Sequence, residues 1–186
     1  IAPTDFKAFE KYSLIKKLPE LIDILIKRLN MQIIFRPHPS NRDNIEVINI
    51  KKKFSKLKRF KLDISENYLN TYKKCFCMIT DVSGTAYTYA FLNKSPVIFL
   101  ANNIIKKKIM RSNYIKDRIK IGYVVNDVIE LLNKIKLINK NKNRFNKSIS
   151  SLKSNLSNLY NVKKIMTKKI YTIAYKKWTF DLSIYQ

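Results

Sequence analysis

Short, continuous apolar runs alternate along this chain with segments in which apolar residues recur every three or four positions. Pro19 suits the first turn of a helix. After it, Leu21, Ile22, Leu25, Ile26 and Leu29 keep helical spacing. Gln32-Ile33-Ile34-Phe35 reads as a strand, stopped by Arg36-Pro37-His38-Pro39, whose two prolines end regular structure and stiffen the loop. A second helix is expected over 41–56, carrying Ile45, Val47, Ile48, Ile50 and Phe54. Phe60-Lys61-Leu62 follows as a short strand, and Ser65 offers an N-cap for a short helix bearing Tyr68, Leu69 and Tyr72. Cys75 to Ile79 is apolar throughout, as in a strand covered on both faces. A turn over Thr80 to Thr85 leads into a helical stretch from Ala86 to Leu92, and Pro96 to Leu100 is another buried strand. Ile121 to Val125 predicts a further strand, with Asn126 capping a helix that carries Val128, Leu131, Leu132 and Ile135. Residues 139–161 are polar and helical at most, and the aromatic, basic stretch 171–186 takes no firm assignment.

Strand and helix alternating five or six times predict an open parallel α/β sheet. Such sheets bind ligands at the carboxyl ends of their strands, so the loops after strands are where chemistry is sought. The 186 residues carry 46% hydrophobic residues, enough for a packed core, which excludes a wholly disordered tail. Every long apolar stretch is broken by Lys, Asp or Asn before a membrane span is reached. Two cysteines, Cys75 and Cys77, exclude a disulfide scaffold and suit a reducing compartment; without further Cys or a second His they make no zinc site.

The formal charge of +25 attracts phosphate and invites a nucleic-acid reading. Against that, 31 of the 38 basic residues are Lys and seven are Arg, and the Lys is spread along the chain with abundant Asn and Ile. Arg is the usual bidentate reader of phosphates and bases, and no nucleic-acid-binding motif is present. Compositional bias accounts for the charge better than a selected polyanion site. The chain opens Ile1-Ala2-Pro3-Thr4, like the end of a strand whose beginning is missing, and is expected to be a fragment.

Two loops stand out. In Arg36-Pro37-His38-Pro39 the single His of the chain sits just past a strand end beside a guanidinium, an arrangement suited to an anionic ligand. A structural turn with the imidazole bonded to backbone explains the same four residues equally well. In Thr80-Asp81-Val82-Ser83-Gly84-Thr85 a buried strand ends, two hydroxyls and a glycine follow, and a helix begins. The free amides and dipole of a helix start favour an anion; the plainer reading is an ordinary N-cap by Ser83 or Asp81.

Together with Ala2-Pro3-Thr4 and Lys94-Ser95-Pro96-Val97-Ile98-Phe99, these loops resemble, in order and approximate spacing, the C-terminal domain of the CDP-glycerol glycerophosphotransferases, which include the teichoic acid polymerases and primases. The likeness covers about residues 1–100. It implies an open parallel Rossmann-like sheet, the C-terminal half of a GT-B type fold. Residues 1–138 would form the nucleotide-binding domain and 139–186 a helical, aromatic-basic extension. It implies a transferase moving glycerol phosphate, or a related polyol phosphate, from a CDP-activated donor to a surface polysaccharide or teichoic-acid-like acceptor. His38 would act on the donor phosphates and assist the leaving group. Arg36 would support those phosphates, Ser83, Gly84 and Thr85 would hold them at the helix start, and Thr80 and Asp81 would shape the turn. No cofactor is implied beyond the donor, and no Asp-rich cluster of metal-ligating spacing is visible. The acceptor-side base of the family lies on an N-terminal domain, so the fragment alone is expected to be inactive. The expected location is cytoplasmic, with an anionic inner membrane surface as a further partner.

The chain also departs from the family. Thr88 stands where an Asp is common, Val82 and Gly84 replace Tyr and Ser, and Ser95 reads as an insertion. Another GT-B glycosyltransferase or a sugar-nucleotide epimerase is the alternative, and a basic nucleic-acid module a weaker one. Asp63 and Glu66 read as surface residues, Lys106-Lys107-Lys108 and Arg111 as a solvated helix face or a contact for a polyanionic polymer or lipid surface, and Trp178 with its neighbours Tyr171, Tyr175 and Phe180 as packing against a neighbour, with a membrane-interface role as the alternative.

Overall fold

A computed structural model describes residues 1–100 and 116–157. The chain divides into two compact units, Ile1–Ser150 and Ser151–Gln186. The first carries the sheet and the candidate site described below.

Five strands are present among the described residues: β1 (Ile33–Phe35), β2 (Phe60–Leu62), β3 (Met78–Thr80), β4 (Val97–Leu100) and β5 (Gly122–Val125). The helices are α1 (Phe6–Phe9), α2 (Leu18–Arg28), α3 (Ile45–Phe54), α4 (Tyr68–Lys74), α5 (Thr85–Asn93), α6 (Arg118–Ile121), α7 (Val128–Lys140) and α8 (Asn146–Ser157). β1 pairs with β2 in parallel, Ile33 opposite Phe60, and β3–β4–β5 form a second parallel set with Met78 opposite Val97 and Val97 opposite Gly122. Residues 1–2 join the two sets. Ile1 N donates to Ile34 O at 2.6 Å, Arg36 N donates to Ile1 O at 2.9 Å, and Ala2 N donates to Ile79 O at 3.0 Å. The order across the sheet is therefore β2, β1, residues 1–2, β3, β4, β5, with every adjacent connection through a helix.

The helices form where the sequence offers both an apolar stripe and end chemistry. In α2, Leu18, Leu21, Ile22 and Leu25 are buried, Pro19 and Glu20 lie in the first turn, and Lys27 and Arg28 in the last, matching the helix dipole. In α3 the Asn44 side chain accepts from Glu46 N at 2.8 Å and Val47, Ile50 and Phe54 point inward. α7 is capped reciprocally: Asp127 Oδ1 accepts from Glu130 N at 2.8 Å, and Glu130 Oε2 accepts from Asn126 N at 2.9 Å. These stripes meet β1, β3, β4 and β5 in one core that contains Phe35, Phe60, Ile79, Ile98, Val125 and Ile135. Each such side chain contributes about 1.5–3 kcal/mol by leaving water.

Several boundaries differ from the sequence-based expectation. The helix expected over 41–56 is a 3-10 turn at Pro39–Asn41 followed by α3. Ser65 does not cap α4; Asn67 precedes its first residue, and Ser65 is occupied with Asp63 and Arg36. Asp127, not Asn126, is the N-cap of α7. Cys75 and Cys77 lie before β3 instead of in it, because Cys75 N still closes the end of α4 on Tyr72 O at 3.0 Å. Gly122 has a specific role. A Cβ there would stand 1.9 Å from the Val97 carbonyl oxygen, so only glycine lets β5 begin this close to β4.

Candidate functional site

The segment after residues 1–2 ties two loops to one edge of the sheet. Thr4 N donates to both oxygens of Asp81, at 2.9 and 3.1 Å, and Leu14 N donates to Asp81 Oδ2 at 2.9 Å. On its other side, Asn41 Nδ2 donates to Thr4 O at 3.3 Å and Asn41 Oδ1 accepts from Phe6 N at 3.3 Å. Asn41 and Asp81 are both buried. The loop after β1, the loop after β3 and the Ala2-Pro3-Thr4 segment are thus one hydrogen-bonded unit at the carboxyl end of the strands.

Within it, His38 is exposed and opens the 3-10 turn after β1. Its Nδ1 lies 2.7 Å from Ser40 Oγ and 3.4 Å from Ser40 N, so Nδ1 is engaged with Ser40 and Nε2 is the ring nitrogen outside these contacts. Ser40 also bonds the Asp5 carboxyl and, as the largest influence on it, holds that group below its ordinary value.

The turn between β3 and α5 is held from below. Thr80 Oγ1 donates to Ala2 O at 2.6 Å, and Asp81 Oδ1 accepts from Ser83 N at 3.1 Å. Thr80 and Asp81 therefore face inward, one to the sheet and one to backbone amides. Burial pushes the Asp81 carboxyl up to about 6, against the opposing pull of the amides of Leu14, Thr4 and Ser83. Asp81 is spent on this turn, so neither it nor Ser83 is the N-cap of α5. That position is Gly84, which brings no side chain, and no side-chain hydrogen bond caps the helix. The Ala86 and Tyr87 amides turn back on Ser83 O at 3.5 Å and Gly84 O at 3.1 Å, so of this turn the Gly84 and Thr85 amides remain for an anion or for water. Gly84 adopts ordinary right-handed backbone at φ −68°, so its contribution is the missing side chain and not an unusual turn. Ser83 is buried beside it, and Thr85 Oγ1 lies 2.6 Å from Tyr72 OH.

Arg36 is drawn toward the loop after β2. Its Nη1 donates to Asp63 Oδ2 at 2.9 Å, its Nη2 donates to Ser65 O at 2.7 Å, and the guanidinium lies 5.6 Å from the Tyr68 ring centroid. Burial pulls the Asp63 carboxyl upward, but hydrogen bonds from Ser65, Thr71 and Arg36 outweigh it and hold it at about 2. The surface placement expected of Asp63 is therefore overturned: it is 5% exposed and is the acid that fixes Arg36. Glu66 is exposed, as expected.

Sequence reading missed Arg118. Its side chain is fully buried, with Nη2 donating to Val82 O at 2.6 Å, Nη1 to Asp81 O at 3.3 Å, and the guanidinium 5.0 Å from the Phe99 ring centroid. A cation is thereby fixed under the β3–α5 turn. The only signal for it in the sequence is an Arg in a chain that otherwise uses Lys. A cavity of about 410 Å³ opens on the same edge, lined by Lys11, Tyr12, Lys16, Lys17, Asn126 and Asp127 among others. Lys106 to Lys108, Arg111, Tyr171, Tyr175, Trp178 and Phe180 lie outside the described residues.

Three comparisons bear on this site. The family model for CDP-glycerol:poly(glycerophosphate) glycerophosphotransferase matches residues 16–170. No curated protein matches the chain. Among solved structures, the chain is similar to the UDP-GlcNAc 2-epimerase of Methanocaldococcus jannaschii in complex with UDP-GlcNAc and UDP, with a TM-score of 0.53 at 20% identity. That likeness covers 84% of this chain and 44% of the epimerase, so the chain spans less than half the length of that structure. At this identity it speaks for the fold: an open parallel Rossmann-like sheet of the kind that makes up half of a GT-B enzyme.

Proposed function

Because the chain belongs to the CDP-glycerol:poly(glycerophosphate) glycerophosphotransferase family, we propose that it is the donor-binding, C-terminal half of a transferase using a CDP-activated polyol. The unit transferred is glycerol phosphate or a related polyol phosphate, and the acceptor is a surface polysaccharide or teichoic-acid-like polymer. One observation carries this reading. Residues 4–6 bond at once to the loop of His38 and to the loop that opens α5, so an imidazole and an uncapped helix start share one edge of the sheet.

In the proposed step, an acceptor hydroxyl forms a new P–O bond at the polyol-bearing phosphorus. The bridging P–O bond breaks, and CMP leaves with the electron pair. His38 is the catalytic residue: Nε2, left open by the contacts of Nδ1 to Ser40, donates to the departing phosphate oxygen. The Gly84 and Thr85 amides, with the hydroxyls of Ser83 and Thr85, hold the diphosphate, and Arg36, its charge shared with Asp63, supports the loop beside it. Thr80 and Asp81 hold the backbone of that turn in place. The acceptor proton passes to a base outside these residues, on a partner domain, so this chain alone binds donor without turnover. Residues 1–138 act as the nucleotide-binding domain and 139–186 as an extension. The setting is cytoplasmic at the inner membrane surface, and no helix among the described residues is long and apolar enough to cross a membrane.

Calorimetry with CDP and CDP-glycerol tests the reading, with UDP-GlcNAc as the contrasting donor. The full chain is expected to prefer the cytidine ligands, and His38→Ala combined with Ser83→Ala is expected to weaken CDP at least tenfold. A folded chain that ignores CDP, or a double variant that binds it as tightly as the parent, sinks the proposal.

A further inference from the structure

α4 contacts both halves of this site through consecutive side chains. Thr71 bonds Asp63, the acid that holds Arg36. Tyr72 reaches the other way, its hydroxyl 2.6 Å from Thr85 Oγ1 at the first residue of α5. The Tyr72 ring is 4% exposed and wedged edge-on between Tyr68 and Tyr89, with centroids 5.2 and 6.0 Å away. Its position is fixed further by backbone: Asn93 Nδ2 donates to Tyr72 O at 2.6 Å, and Tyr89 OH donates to Cys75 O at 3.0 Å, which clamps α5 to α4. A phenol this constrained holds its hydroxyl in one place without paying rotamer entropy when a ligand arrives.

We propose that Tyr72 is a positioning residue that turns the Thr85 hydroxyl into a directed donor toward an anionic phosphate oxygen. The inference rests on the donor-binding reading above and goes further by assigning a role within it. A threonine hydroxyl has one hydrogen and two lone pairs. When the Tyr72 hydroxyl donates to Thr85 Oγ1, the threonine hydrogen is released from that contact and points outward. The two bonds polarise one another in series, Tyr72 to Thr85 to phosphate. The chain works only for an acceptor ligand, so it favours an anion over the same ligand lacking phosphate. Tyr72 itself never touches the ligand.

Tyr72→Phe keeps the ring and its packing and removes only the hydroxyl; Thr85→Val keeps the shape of Thr85 and removes the donor. Binding of CDP and of cytidine to the full chain is measured for the parent, both single variants and the double variant. The expected result is a three- to tenfold weaker CDP affinity for Tyr72→Phe, with cytidine affinity unchanged and the double variant no weaker than Thr85→Val alone. Equal loss for cytidine and CDP assigns Tyr72 a merely structural role and overturns the inference. So does an unaltered CDP affinity in Tyr72→Phe, or additive losses in the double variant. A parent chain that binds no CDP overturns the donor reading itself along with this inference, whereas a parent that binds and an indifferent Tyr72→Phe overturns the inference alone.

Discussion

At Asp81 two opposed forces act on one carboxyl. Burial disfavours its charge, while the amides of Thr4, Leu14 and Ser83 favour it; burial prevails and the group rests at about 6. The sign of its effect on stability follows. Between the ordinary carboxyl value near 4 and about 6, the folded chain holds this proton and the unfolded chain has lost it. The contribution of Asp81 to stability therefore falls as pH rises through that window and is level above it, a total of about 3 kcal/mol. Urea unfolding of the full chain from pH 4 to 8 is expected to show this fall relative to Asp81→Asn, in which the ionisable group is gone. Parallel profiles for parent and variant would remove Asp81 from the account. Asp81→Asn is also expected to lower stability throughout, since an amide nitrogen cannot accept from the backbone amides that Asp81 now receives. Residue by residue, the site was unevenly legible in the sequence. His38 stood out as the lone imidazole between two prolines. Asp63, Asn41 and Arg118 did not, because each owes its importance to burial and to partners 27 to 37 positions away, as in Arg36–Asp63, Asn41–Thr4 and Arg118–Asp81. Separations of that kind leave no local pattern.

Elements were legible where periodicity and length agreed, and their ends were not. α2 and α7 have apolar stripes long enough to declare a helix, and β4 is apolar at all four positions. The approach to β3 misled, because Cys75, Phe76 and Cys77 are as apolar as a strand yet serve to close α4 and enter the sheet. Hydropathy counts apolar side chains and cannot tell a helix exit from a strand interior. Ser65 misled for a related reason: a hydroxyl before a helix is a good cap, but Asp63 and Arg36 compete for it and win. Gly122 shows what a single position can impose on an element. The carbonyl oxygen of Val97 occupies the place of its absent Cβ, so any side chain must push β5 off β4. Gly122→Ala is expected to cost at least about 3 kcal/mol, the upper part of the usual overpacking range, read as an earlier midpoint in thermal or urea unfolding. A midpoint that stays put would mean β5 can slide without loss. Because β5 carries Val125 into the core and leads to Asn126 and Asp127 at the cavity edge, the same variant is expected to loosen that cavity as well.

For the whole molecule, the question raised by +25 is where the charge sits relative to the site. Its densest part is the stretch Lys51 to Lys61, in which seven of eleven residues are Lys or Arg and most are exposed. Across the whole chain the basic fraction is 38 of 186, so this stretch exceeds even a Lys-rich background. The topology fixes its position. α3 leaves the carboxyl end of β1, where His38 is, and delivers the chain to the start of β2, so the basic stretch gathers at the opposite edge of the sheet. A three-residue strand spans about 10 Å, which already exceeds the Debye length of about 8 Å at physiological ionic strength. Charge at Lys51 to Lys61 should therefore scarcely be felt by a phosphate at the start of α5, and any polyanion held there should not compete with a nucleotide. Lys52→Glu with Lys56→Glu is expected to weaken adsorption to heparin or duplex DNA while leaving CDP affinity within about twofold. Duplex DNA is expected not to displace CDP from the parent. If duplex displaced CDP, or if the charge reversal weakened CDP severalfold, the basic surface and the nucleotide site would be one surface, and the nucleic-acid reading of the charge would return. The topology argues otherwise: one sheet separates the proposed anion site, built from few and mostly buried groups, from a diffuse basic edge that owes its strength to number alone.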